Sequence, residues 1–208
     1  MLIVDLDDTI FQTSSIGMDV FSVAISSLRT SDELIVMGVA LDSMIEELWS
    51  TPSDYVFRKY EVPHHIVSRF YIDVASIDYK TLDIQPYDDY AILKSLSIDQ
   101  VLVTTGLREL QWAKINALGI AKDFIQIKID DPRDDPRIRK IGIFRQILME
   151  ARLQPSDIWV IGDNPESELK AAKALGMKTI QRRSQTKASS CYADFEIPSF
   201  AELKQLLF

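Results

Sequence analysis

Four short apolar runs, at residues 2–6, 101–104, 124–129 and 158–161, limit the possible folds more than anything else in the chain. As a set they lack the regular polar–apolar alternation of a strand with one face in water. Strands buried on both faces, as in a parallel sheet covered by helices, read this way. A weaker fifth run lies at 178–181. Between the runs, segments 109–118 and 166–175 have helical spacing. Each ends on a glycine and then an apolar residue, Gly119-Ile120 and Gly176-Met177, a common way for a helix to stop. Repeated strand, helix, glycine and strand predicts βαβ units, hence an α/β fold with a doubly wound parallel sheet. The expected core is residues 1–13 and 86–208, with 2–6 as its first strand.

Residues 14–85 break this grammar. No short buried strand stands out there. Segments 17–28 and 33–49 carry apolar residues at helical spacing, among them Val20, Val23, Ala24, Leu41, Ile45 and Leu48. Two more helices are expected at 53–60 and 63–72, with Pro63 suited to a helix start, and Pro86 marks the return to the sheet. An all-helical insertion over 14–85 follows. Residues 130–137 read DDPRDDPR, whose prolines and mixed charge predict an exposed loop.

The 208 residues are 47% hydrophobic and 26% charged, enough apolar material for a sizeable core. The net charge of −8 argues against nucleic acid or an anionic membrane as partner. The single cysteine, Cys191, excludes an internal disulfide and fits a reducing compartment. With no signal-like start and no run long enough to span a bilayer, a cytoplasmic protein is expected.

The first run ends in a cluster of like charges, Asp5, Asp7 and Asp8. Such a cluster is costly unless a cation or a function holds it together. Ligands of open parallel sheets gather beyond the carboxyl ends of the strands, where Asp5 falls. The second run ends Val103-Thr104-Thr105-Gly106, which brings hydroxyls and backbone amides to that edge. The fourth ends Ile161-Gly162-Asp163, and Asn164-Pro165 behind it is a strong helix start. Lys140 precedes a helical segment at 141–151 whose N-terminus faces the same rim. Several hard oxygen ligands suit Mg²⁺, and a divalent ion would offset the repulsion between Asp5 and Asp163. Lys140 and the amides add donors for an anion. Together these are the requirements of phosphoryl transfer. Asp5 is placed to attack phosphorus, and Asp7 to protonate the leaving oxygen and later take a proton from water.

These residues resemble the haloacid dehalogenase-like hydrolase superfamily, mostly phosphatases. Asp5-Leu6-Asp7-Asp8-Thr9 is similar to its first motif, Asp-x-Asp-x-Thr. Thr104 matches the second and Lys140 the third, with Ile141 where proline is frequent. Gly162-Asp163 followed by Glu168 matches the fourth, with Glu168 in place of the usual Asp. The resemblance implies a mobile helical cap inserted after the first motif, Asp5 as nucleophile and Asp7 as acid/base. It implies Mg²⁺ held by Asp5, Asp163 and the backbone carbonyl of Asp7, with Glu168 touching it directly or through water. Thr104, Thr105 and Lys140 would hold the phosphate, although Thr105 stands where Asn is common. The implied activity is a magnesium-dependent phosphatase of a small phosphorylated metabolite, through an aspartyl-phosphate.

A phosphotransferase or mutase would share every motif residue. A receiver-type signalling domain uses a similar kit, but with its phosphorylated Asp on a later strand and no insertion. A catalytically dead binding protein is the remaining reading, which the intact set argues against. Asp8 reads as a turn residue. Adjacent His64 and His65 diverge by about 100° on a helix and would hardly share a metal. Trp112 and Trp159 read as core, Trp49 as facing core or substrate, and Arg182-Arg183 as surface.

Overall fold

In a computed structural model that describes residues 1–183 and 189–207, the sheet has six strands. They are β1 (Leu2–Val4), β2 (Gln100–Thr105), β3 (Gln126–Asp130), β4 (Trp159–Gly162), β5 (Lys178–Arg182) and β6 (Phe195–Ile197). Their order is β3-β2-β1-β4-β5-β6, and every pairing is parallel. Ile3 sits in register with Val101 on one side and Val160 on the other. The strand order reverses on either side of β1, which makes its carboxyl end the natural ligand crevice.

The missing alternation has a direct cause. Leu2, Val4, Leu102, Ile161 and Ile180 pack into one core cluster, while Ile3, Val101, Val103 and Val160 pack into another. Both faces of the central strands are therefore dry. The first face is covered through Leu93 of α6 (Tyr90–Lys94), Ile115 of α7 (Arg108–Ala117) and Leu203 of α10 (Leu203–Leu207). The second is covered by Ile143, Phe144 and Ile147 of α8 (Arg139–Ala151) and Ala172 of α9 (Lys170–Ala174). Edge strand β3 differs from the expectation. Its Gln-Ile-Lys-Ile does alternate, and those four residues are only half-buried. β6, just three residues long, carries no pattern of its own.

The insertion is helical, as expected. Two 3-10 turns lead into α1 (Ser22–Arg29), α2 (Asp32–Val36), α3 (Leu41–Glu47), α4 (Ser53–Lys59) and α5 (His64–Ala75). The single helix expected over 33–49 is broken in two at Gly38, whose φ of +71° is costly for any side chain. Ala24, Leu28, Leu34, Met44, Ile45, Val56 and Phe57 form a separate hydrophobic cluster there, joined by Leu107 of the core. The chain leaves and re-enters the core side by side: Phe11 bridges Pro86 in antiparallel fashion, and Tyr87 N–H donates to the Ile10 carbonyl at 2.8 Å.

Three expectations away from the site fail. Trp112 is 38% exposed, on the outer face of α7. Arg182 is buried. Its guanidinium stacks on Tyr87 and Phe200 and pairs with Asp89 at 3.0 Å, while Arg183 alone is exposed. The 130–137 segment is exposed only in its later part, because Asp130 and Asp131 are buried and satisfied by Arg137 and Arg133. His64 and His65 lie on the surface, the latter beside Glu33 at 2.9 Å.

Candidate active site

Chain geometry at the carboxyl end of β1 puts Asp5 one residue past the strand, its amide still bonded to the Ile161 carbonyl at 3.0 Å. The backbone then turns through Asp8 with φ of +52°, and the Asp8 carboxylate accepts the Thr13 amide at 2.9 Å. Asp8 is thus the turn residue expected. Asp163 follows β4. Asn164 caps the next turn by accepting the Glu166 amide at 3.1 Å, and Pro165 opens it. That turn, Pro165–Leu169, is π-helical, a wide geometry that recurs at functional sites. It swings Glu168 back over Gly162. A Cβ at position 162 would collide with the Glu168 carboxylate, so only glycine permits this approach.

Lys140 lies in the first turn of α8, slightly deeper in the helix than the sequence suggests. Its ammonium donates to Asp5 at 2.7 Å and to Glu168 at 2.8 Å. All three side chains are nearly sealed from water, at 6%, 7% and 2% exposure. Carboxylate oxygens of Asp5, Asp163 and Glu168 lie within 4.8 Å of one another. Burial raises the carboxyls of Asp5 and Asp163 well above the usual range. The charge of Glu168 adds to that effect, and Lys140 opposes it. Burial disfavours the Lys140 ammonium too, but Asp5 and Glu168 outweigh it and hold the lysine charged. Three buried oxygen donors facing one ammonium leave an excess of negative charge. That is the donor set and the electrostatic need of a hard divalent cation such as Mg²⁺.

Asp7 points elsewhere. Its carboxylate accepts Lys114 Nζ at 2.6 Å, Gln111 Nε2 at 2.9 Å and the Thr13 hydroxyl at 3.3 Å. The same Gln111 nitrogen also bonds the Thr104 hydroxyl oxygen and the Thr105 carbonyl. Sequence reasoning missed both α7 residues. Their three-residue spacing puts them on one helix face, but nothing local marks that face as the one turned to the site. Gly106 makes room for Gln111, since a Cβ there would press on its side chain at 3.0 Å. Thr104 is fully buried at the floor. The Thr105 hydroxyl is committed to Asp130 at 3.1 Å, and the Gly106 amide to the Asp130 carbonyl. Of the two threonines, Thr104 alone has a hydroxyl directed within the Asp7–Gln111 network.

These groups floor a cavity of about 210 Å³. Its roof comes from the insertion: Phe21, Ile25, Leu48, Trp49, Phe70 and Val74. Trp49 sits edge-on to Phe21 at 5.4 Å between ring centres and so serves both the helical core and the cavity.

The family model for haloacid dehalogenase-like hydrolases matches residues 2–181. A glyceraldehyde 3-phosphate phosphatase from Methanopyrus kandleri is 24% identical over 220 residues, covering 94% of this chain and 89% of the relative. CbbY from Rhodobacter sphaeroides, solved in complex with phosphate, superimposes with a TM-score of 0.66 at 18% identity. That match covers 97% of this chain and 95% of CbbY. The hydrolase YfnB from Bacillus subtilis, solved bound to magnesium, gives 0.62 at 16% identity over 99% and 97% of the two chains. The site assembled at the switch point of the sheet, the helical insertion above it and the match over nearly the whole length agree: the chain belongs to the haloacid dehalogenase-like hydrolases.

Proposed function

We propose that the protein is a magnesium-dependent phosphatase of small phosphomonoesters that works through an aspartyl-phosphate on Asp5. The observation that carries this reading is the buried ring of Asp5, Asp163 and Glu168 around Lys140, open to a cavity of substrate size. Asp5, Asp163 and the backbone carbonyl of Asp7 would hold the ion, with Glu168 beside them. Bound Mg²⁺ would neutralise charge on the phosphoryl oxygens. We take residues 14–85 as a cap whose closure keeps bulk water from the reacting group.

The chain's own residues then divide the work. Lys140 and the Thr104 hydroxyl hold phosphoryl oxygens, and Thr105 positions Thr104 through its hold on Asp130. An Asp5 oxygen attacks phosphorus as the ester P–O bond breaks, and Asp7 gives its proton to the departing oxygen. Asp7, now ionised, takes a proton from the water that attacks the aspartyl-phosphate. Inorganic phosphate leaves and the Asp5 carboxylate is restored. The phosphatase relative from Methanopyrus supports this reaction class. The receiver alternative fits poorly with membership in a hydrolase family and with Asp5 at the end of the first strand.

The test is phosphate release from a panel of phosphomonoesters with and without Mg²⁺, with Asp5→Asn as the blank. Release that survives both the substitution and chelation would refute the mechanism. Transfer of phosphate to a sugar hydroxyl in place of water would assign a phosphotransferase instead.

A further inference from the structure

We propose that the ester is a phosphate of an uncharged, largely apolar alcohol or phenol. This inference rests on the phosphatase reading and concerns what the insertion accepts. The two halves of the cavity differ sharply in chemistry. Among the described residues, its lining cations are Lys114 and Lys140, both on the floor and both already bonded to carboxylates. The insertion adds no lysine, arginine or histidine to the lining. Its one charged contribution is Asp54, an anion.

A second anionic group on the substrate, such as a carboxylate or another phosphate, would leave water without a counter-charge from the insertion's share of the lining. Burying a charge unpaired in this way is strongly unfavourable. A cationic leaving group fares no better. Asp54 Oδ2 is already held by Arg137 at 2.7 Å, by Arg139 at 3.2 Å and by Arg58 at 3.4 Å, so that end of the cavity carries no surplus negative charge. What remains is apolar. Phe21, Ile25, Trp49, Phe70 and Val74 descend from the insertion, and Leu107 and Leu110 rise from the core to meet them. Besides short hydroxyls such as those of Thr51 and Ser53, the one further polar group at the roof is the second Asp54 oxygen, Oδ1, a buried acceptor without a partner among the described residues, which suits a hydroxyl on the leaving group. Such a surface gains by taking hydrocarbon out of water.

The experiment is a homologous series of n-alkyl phosphates, ethyl to hexyl, with glyceraldehyde 3-phosphate, phosphoglycolate and phosphocholine as charged or strongly polar comparators. In the wild-type protein kcat/KM is expected to climb by up to about fourfold per added methylene until the cavity fills. Hexyl phosphate should exceed each comparator by at least about tenfold. In Ile25→Asn the hexyl-to-ethyl ratio should collapse toward one. That ratio is internal to each preparation, so a partly unfolded variant lowers both rates alike and leaves it intact. A flat alkyl series, or phosphoglycolate, phosphocholine or glyceraldehyde 3-phosphate as the best substrate, overturns the inference while the phosphatase reading stands. No phosphate from any ester overturns the phosphatase reading itself.

Discussion

Replacing Lys114 with methionine tests how Asp7 is made ready for proton transfer. The ammonium lies 2.6 Å from Asp7 Oδ1, and the two side chains are 7% and 27% exposed, so water screens the pair only partly. Methionine keeps most of the aliphatic stem and deletes the charge. A hydrogen bond to a charged group contributes about 1.5–3 kcal/mol. If all of it were used in orienting Asp7 toward the leaving oxygen, the loss would be about 10- to 150-fold in rate. Asp7 retains Gln111 Nε2 at 2.9 Å and the Thr13 hydroxyl, so the lower end, about tenfold, is the expectation. The assay compares kcat/KM for ethyl phosphate and 4-nitrophenyl phosphate, because kcat/KM covers the steps up to cleavage of the ester. An ethoxide needs the proton as it departs, and a nitrophenolate does not. The tenfold drop should therefore appear with ethyl phosphate and shrink toward nothing with 4-nitrophenyl phosphate. Adding Lys114→Met to Asp7→Asn should cost nothing more, since the lysine acts through the aspartate. Equal losses on both esters, or a raised KM with kcat intact, would show that Lys114 does not position the acid.

Gly162→Ala should displace Glu168, because the new methyl occupies the space of its carboxylate. We expect a loss of about 1–3 kcal/mol in stability and weaker stabilisation by Mg²⁺; an unaltered thermal melt and Mg²⁺ titration would contradict this. In the metal-free protein, the carboxyls of Asp5 and Asp163 are raised from 3.8 to about 7 and about 9. The folded state then keeps protons that the unfolded chain has released, so stability should fall as pH rises from about 4 through 7 toward 9, by up to about 1.4 kcal/mol per pH unit for each group. Mg²⁺ favours the ionised carboxylates, so its stabilising effect should grow over the same window; a metal-free melting temperature that rises between pH 5 and 8 would contradict the assignment. Arg182→Met should lower stability by about 2 kcal/mol, since Asp89 loses its ion pair but keeps the Ser199 hydroxyl and the Phe200 amide. Its kcat should stay at the wild-type value, because Arg182 lies outside the cavity lining.

The parts of the site that could be read in the sequence sit where strand ends and helix starts leave local marks. Asp5 follows an apolar run, Asp163 precedes an Asn-Pro helix start, and Thr104 ends the second apolar run. Topology alone then brings these positions to one rim. Gln111 and Lys114 left no such mark, because on α7 they look like any polar residues of an amphipathic helix, and only the packed orientation of that helix turns them toward Asp7. Arg182 was misread for the opposite reason. Two adjacent arginines suggest surface, but the strand period of two sends one inward to stack on Tyr87 and Phe200. The break at Gly38 and the brief β6 were missed because one depends on a single backbone angle and the other on a neighbour that supplies all its pairing. Of the apolar roof only Trp49 was legible, as a residue facing core or substrate, since the roof is drawn from three separate segments of the insertion.

The side-by-side seam at Phe11 and Pro86 has a consequence for how this molecule can be rebuilt. Antiparallel neighbours can be joined by a turn of about two residues, so the whole of the intervening helical unit could be excised and the cut closed without stretching the remaining chain. The β-sheet would keep most of its hydrophobic interior but lose Ile16 and Ile84 from it, and Leu107 and Leu110 would be laid bare. Conversely, a different helical unit ligated at the same two points would inherit the chemistry of the floor and bring its own choice of alcohol, making the seam a ready grafting site for redirecting the enzyme.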